Sequence, residues 1–164
     1  MKQIRLNNGQ SVFVDNEDYE WLNQRRWYAL RKGNSWYAIT TLENEKRKRT
    51  IYMHRLILDA PSGLVVDHIN SNKLDNRRSN LRLCTRGENN RNVPKPSHNK
   101  SGFKGVMWIW RKKKWKATIY FNRQCYVLGL FDDPVEAARA YDTAAELYFR
   151  EFAKLNFDHE YPAS

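Results

Sequence analysis

Thiols are scarce in this chain: Cys84 and Cys125 are its two cysteines, far apart and outside any C-x-x-C pair. That spacing excludes a zinc ribbon, so no structural zinc is expected, and it offers no disulfide framework. A reduced, cytoplasmic setting is the expectation. Apolar runs are short as well. None is long enough to span a bilayer, and the N-terminus lacks the apolar stretch of a signal peptide, so no membrane partner is expected. Acids are outnumbered: 18 Asp and Glu face 29 Lys and Arg, a net charge of +11 over 164 residues. Such a field draws in polyanions. The sequence pI of about 9.8 is that of a nucleic-acid binder, with a merely soluble, ribosomal-style surface as the bland alternative.

What is present is enough for a core. The chain is 41% hydrophobic and 13% aromatic, which separates it from disordered tails and fits one domain or two small ones. Residues 1–50 read as a β-rich segment. Ile4-Arg5-Leu6 and Val12-Phe13-Val14 flank Asn8-Gly9, a hairpin signal. Asp15 is placed to cap a short helix through Leu22. Trp27-Tyr28-Ala29-Leu30 and Trp36-Tyr37-Ala38-Ile39 flank Lys32-Gly33-Asn34-Ser35, a second hairpin. The charged run Glu43 to Arg49 reads as a solvated turn, and its cluster Lys46-Arg47-Lys48-Arg49 reads equally well as a phosphate contact.

Residues 51–92 form the next segment. Ile51 to Leu58 is an apolar strand or helix ending before Pro61. Leu64-Val65-Val66 is a short strand that ends at Asp67-His68. Leu81-Arg82-Leu83-Cys84 alternates like a strand. Thr85 with Glu88 is a capping box that opens a helix carrying Asn89 and stopping by Pro94. Residues 93–102, with two prolines and small polar residues, read as a linker. Residues 103–157 hold three strand candidates, Gly105 to Ile109, Lys114 to Tyr120 and Cys125 to Gly129. A helix then starts at Asp133-Pro134 with an alanine-rich stripe at helical spacing. Residues 158–164 are a tail. The class is α+β.

The chemistry concentrates between Asp67 and Asn90. Hydrolysing a phosphodiester requires an activated water, neutralisation of phosphate charge and help for the leaving oxygen; one hard cation can supply the last two. Magnesium prefers oxygen ligands and keeps several waters, so Asp67 and the Asn89 side chain suffice to hold it. His68 titrates near neutrality and is the natural base. The side-chain oxygen of Asn80 is a candidate to fix its tautomer. An isolated Asp-His pair is more often a surface or capping pair. Here it ends an apolar strand and two asparagines follow at workable spacing. His54 is read as packing near the motif. His98 and His159 are read as solvent-exposed. Arg77, Arg78 and Arg82 read either as phosphate contacts or as partners of acids, with Arg77 the preferred phosphate contact.

His54-Arg55-Leu56, Asp67-His68-Ile69-Asn70, Asp75-Asn76-Arg77, Asn80-Leu81-Arg82 and Asn89 together resemble the HNH nuclease family, the ββα-metal nucleases, in the subgroup of phage homing endonucleases. The resemblance implies that His68 is the general base, that Asp67 and Asn89 bind the metal and that Asn80 positions His68. The third family letter is often histidine; here it is Asn89, with Asn90 the adjacent alternative.

Residues 101–157 resemble the Apetala-two/ethylene-response-factor domain, a three-stranded antiparallel sheet packed on one helix. Gly105-Val106, Lys114-Trp115-Lys116-Ala117, Leu128-Gly129-Leu130-Phe131, Glu136 to Asp142 and Ala153 to Phe157 carry the likeness. It implies that the sheet enters the major groove of DNA. Lys104, Trp108, Lys114, Trp115, Lys116 and Arg123 then lie on or beside the reading face, with a core position the alternative for Trp115. Met107 and Cys125 stand where the plant domains commonly have arginine, and Val127 replaces a frequent aromatic, so the plant target sequence is not expected.

The expectation is therefore a metal-dependent DNA endonuclease of the homing type. It has a β-rich lead-in over 1–50, a nuclease core over 51–92 and a DNA-binding domain over 103–157. It acts on double-stranded DNA in the cytoplasm of a bacterial host cell, without a small-molecule cofactor. Magnesium is the expected ion and manganese the alternative. One site per chain implies a monomer that nicks one strand, a dimer being the alternative. The rival reading is a non-catalytic DNA-binding regulator with a decayed nuclease core.

Overall fold

The structure is a computed structural model that describes residues 1–44, 47–93 and 99–157. Lys46, residues 94–98 of the linker including His98, and the tail with His159 lie outside the described residues. The fold is α+β, and the chain divides into two compact units, Met1–Asn89 and Asn90–Ser164.

The first unit opens with the hairpin β1 (Lys2–Arg5) and β2 (Ser11–Val14). Gly9 takes a φ of +83°, the left-handed turn position the Asn-Gly pair supplies. Helix α1 (Asn16–Asn23) follows. Its expected cap, Asp15, makes no side-chain capping bond; the carboxylate instead accepts the backbone N–H of Arg78 at 2.7 Å. Strands β3 (Tyr28–Lys32), β4 (Ser35–Asn44) and β5 (Arg47–Tyr52) form an antiparallel meander. The charged run expected as a turn is mostly strand. The ladder begun by Ile39–Tyr52 and Thr40–Ile51 runs on through Asn44–Arg47, seeded by β-branched residues.

The apolar stretch after β5 is both of the things its pattern allowed. β5 ends at Tyr52 and a single turn, α2 (Met53–Ile57), follows. Then β6 (Val65–His68) pairs antiparallel with β7 (Leu81–Cys84), and α3 (Arg86–Arg91) leaves the end of β7. The capping box is fully made: Thr85 N–H donates to Glu88 Oε2 at 2.8 Å and Glu88 N–H to Thr85 Oγ1 at 3.2 Å. One hydrophobic cluster joins the lead-in to the β6–β7 region, through Val12, Val14, Leu22, Trp27, Met53, Val66 and Leu81.

The second unit is the antiparallel sheet β8 (Val106–Ile109), β9 (Lys114–Phe121) and β10 (Gln124–Phe131), with β9 central, and the helix α4 (Pro134–Phe149). Asp133 caps α4 by accepting from Val135 N–H at 3.1 Å. Ala137, Ala138, Ala144 and Ala145 are buried, which lets the helix lie close to the sheet. Gly105, at φ +77°, would put a Cβ 2.0 Å from the Tyr141 ring, so glycine is required there. Asp142 accepts from Asn156 N–H at 2.9 Å and Phe157 N–H at 3.0 Å, and Asn156 in turn bonds the Lys104 backbone. The segment after α4 is thereby fastened to the entry of β8. Among the described residues no helix is long and apolar enough to cross a membrane.

Candidate active site

Asp67 and His68 end β6, and both are almost wholly shielded, at 1% exposure. Register places Asp67 opposite Arg82 on β7. The guanidinium holds the carboxylate with Nη2 to Oδ2 at 2.8 Å and Nε to the same oxygen at 3.0 Å. Burying a carboxylate without such a partner is costly.

His68 is gripped differently. Its Nε2 lies 2.9 Å from Asn76 Oδ1, in a buried contact. If Nε2 carries the proton given to that oxygen, Nδ1 carries the lone pair. The His54 ring packs edge-on against it, centroids 5.1 Å apart, and Tyr52 and Tyr37 continue the aromatic group behind His54. Burial is the largest influence on both rings. It lowers His68 to about 4 and His54 to about 3, so both are neutral near pH 7.

Asn80 does not reach His68. Its side chain spans the polar loop after β6: Oδ1 accepts from Asn70 N–H at 2.9 Å and Nδ2 donates to Asp75 C=O at 2.7 Å. Asn70 Nδ2 donates to Asp75 Oδ2 at 2.8 Å. The loop is thus closed on itself at both ends by asparagine. Arg77 forks onto Asp75 with bonds of 2.7 and 2.6 Å, which holds the Asp75 carboxyl below the usual range.

The lead-in steadies this loop from outside. Phe13 N–H donates to Leu74 C=O and Asn76 N–H to Phe13 C=O, each at 2.8 Å. Arg78 reaches α1 with two bonds of 2.8 Å to the buried Asp18. Residues 1–23, for which the sequence offered no chemistry, therefore fix the backbone of the residue that grips His68. Asn76 was visible only as part of Asp75-Asn76-Arg77, and nothing in that triplet marks which asparagine turns inward. Lys73, also missed, is half-buried; burial lowers its amine pKa, with Asp67 near enough to oppose that shift.

Asn89 sits in α3, its N–H bonded to Thr85 C=O at 3.0 Å, and is half-buried where Asn90 is exposed. Among the described residues no three His, Cys, Asp or Glu side chains gather as a metal cluster. The Asp67 carboxylate on β6 and the Asn89 amide oxygen on α3 are oxygen donors, the kind taken by a hard cation that keeps most of its waters.

In the second unit, alternation separates the expected DNA contacts. Lys114 and Lys116 share the face of β9 turned away from α4, and Arg123 is exposed in the β9–β10 turn. Lys114 pairs with Asp132 at 2.6 Å. Trp115 lies on the opposite face and packs on the cluster of Val106, Ala117, Ala137 and Ala138. Trp108 is its cross-strand partner, ring centroids 5.0 Å apart. Both line a cleft of about 890 Å³ together with Trp110. Lys104 is turned inward, its Nζ bonded to the Arg91 and Val93 carbonyls at 2.6 and 2.8 Å.

Residues 52–91 match a protein family described as HNH endonuclease. The chain is 31% identical over 150 residues to a protein of Acanthamoeba polyphaga mimivirus named as an uncharacterized HNH endonuclease, covering 90% of this chain and 75% of that relative. It is 39% identical over 59 residues to Protein 3.8 of Escherichia phage T7, covering 36% of this chain and 49% of that relative.

Proposed function

This chain belongs to the HNH endonuclease family and is an endonuclease, and we propose that it is of the homing type, a metal-dependent enzyme that nicks duplex DNA as a monomer in the cytoplasm of its host cell. The observation that carries the catalytic assignment is the buried 2.9 Å contact from Asn76 Oδ1 to His68 Nε2.

His68 is the general base. Asn76 keeps the ring proton on Nε2, so Nδ1 takes the proton from the attacking water as its oxygen bonds to phosphorus. The neutral state produced by burial is the proton-accepting state. Asp67 and Asn89 hold one magnesium ion, which when bound offsets phosphate charge and the charge developing on the leaving oxygen. The half-burial of Asn89 against the exposure of Asn90 favours Asn89 as the ligand. Arg82 holds and aims the Asp67 carboxylate through two bonds to Oδ2. Asn80 acts one step back, by holding the loop that presents Asn76. Arg77 gives Nε and Nη2 to Asp75, and its Nη1 remains for a phosphate oxygen.

The second unit serves as an Apetala-two-like DNA-binding domain that places the nuclease on its target. Lys114, Lys116 and Arg123 contact the duplex directly. Trp115 packs behind the sheet, Lys104 ties the entry of the unit to the Arg91 and Val93 carbonyls, and Trp108 packs on Trp115. The test is conversion of supercoiled plasmid to the nicked circle. Product with magnesium or manganese and none with chelator is expected. No product with any divalent ion would overturn the assignment.

A further inference from the structure

The face of the second unit's sheet that α4 leaves uncovered has an apolar centre and basic ends. Val106, Ala117 and Ile119 are buried on the helix side, so their strand neighbours turn the other way. The register then sets the uncovered face in bands. Met107, Lys116 and Leu130 lie side by side across the three strands, followed by Thr118 beside Val127 and then Tyr120 beside Cys125. Four of these are large apolar groups open to solvent: Met107 at 52%, Tyr120 at 65%, Val127 at 59% and Leu130 at 39%. The cations stand at the two ends, with Arg111, Lys112 and Lys113 exposed in the β8–β9 turn and Arg123 exposed in the β9–β10 turn.

Continuous exposed apolar surface marks a contact site, and the charge at its ends fits a polyanion better than a protein partner. Three strands about 4.8 Å apart span roughly 10 Å, which the major groove of about 12 Å admits. Reading guanine takes an arginine or lysine, adenine an asparagine or glutamine, and cytosine a carboxylate. Of these the centre of this face offers Lys116 alone, among apolar neighbours. The base feature that matches methionine, valine and leucine side chains is the C5-methyl group of thymine. Resting on the DNA-binding reading of this unit, we propose that the sheet selects thymine-rich sites by packing Met107, Val127 and Leu130 on thymine methyl groups, while the basic turns hold phosphates on either side.

The test uses the full chain in chelator, so that no strand is cut. Binding is selected from a random duplex pool, and the recovered site is remade with deoxyuridine in place of thymine. A thymine-containing core is expected, with binding weakened about fourfold for each packed methyl group that deoxyuridine removes. The double variant Met107→Ala, Val127→Ala, exposed at both positions, should bind the thymine and deoxyuridine duplexes alike. Tight binding that ignores the methyl groups, or a selected core without thymine, overturns methyl recognition and leaves the DNA-binding reading standing. No selective enrichment of any duplex overturns both.

Discussion

Asn76 and His68 meet at 2.9 Å, Oδ1 to Nε2, and neither side chain is open to solvent. An imidazole buried against the His54 ring depends on the protein to fix its tautomer. The Asn76 amide oxygen is placed to do it, and the backbone of that amide is held by Phe13 of β2. The base and the hairpin at the start of the chain are thus linked through one asparagine.

Replacing that asparagine tests the link. Asn76→Ala is expected to lower kcat by about 10- to 100-fold, the usual effect of losing an orienting partner, with little change in affinity for DNA. Asn80→Ala should act first on the loop, costing about 1–3 kcal/mol of unfolding free energy through the donors and acceptors it strands. Nicking rates and denaturant melts on both variants separate the roles. A larger kcat loss for Asn80→Ala at equal stability would move the orienting role to Asn80.

His68→Ala removes the base itself. The expected loss is about 10²- to 10⁴-fold in the nicking rate, while gel-shift affinity stays close to the parent. Wild-type cutting by this variant would mean that another group takes the proton.

Metal affinity distinguishes the two neighbouring asparagines. Asn89→Ala and Asp67→Asn should each weaken manganese binding roughly tenfold or more, at least the loss seen for outer-shell partners. Asn90→Ala should leave it unchanged. Calorimetric titration of the full chain reads this without reference to activity. Equal weakening by Asn90→Ala would transfer the ligand to that position.

The sequence made the local elements readable where one signal dominated. Asn8-Gly9 marked a hairpin, Thr85 with Glu88 a helix start and Asp133-Pro134 another, and all three form through the expected bonds or turns. Charge is a poor turn signal here: Glu43–Asn44 and Arg47–Arg49 are strand. The sequence was silent on partners distant along the chain. Arg78 meets Asp18 across sixty positions, and no local pattern announces that. The same limit hid Asn76, because which asparagine of a polar loop turns inward depends on how β2 pins its backbone.

The Arg78 anchor should be visible in stability. Asp18 is 2% exposed and takes two of its three side-chain bonds from Arg78, each 2.8 Å. Arg78→Ala leaves that carboxylate buried with only Trp21 Nε1 nearby at 3.2 Å. A loss of about 1–3 kcal/mol is expected for the first unit. Lys2→Ala breaks the exposed pair with Glu20 and should cost less than about 1 kcal/mol. Denaturant melts of the two variants rank them, and equal effects would remove the anchor's special weight.

Acid should loosen the first unit before it affects the second. His54 falls from its ordinary 6.5 to about 3, chiefly by burial, with His68 and Arg55 adding like-charge repulsion. The unfolded chain then binds a proton below about pH 6.5 that the folded unit does not take up until about pH 3. Stability from this ring is complete above pH 6.5 and falls as the pH drops, by up to about 1.4 kcal/mol per pH unit. His54→Phe keeps an aromatic ring beside His68 and removes the titrating group, so its stability should fall less steeply between pH 6.5 and about pH 4. Melts of parent and variant across that window check the sign. A parent whose first unit grows more stable on acidification would show that His54 is charged in the fold, and with it that the aromatic group around His68 is open to water.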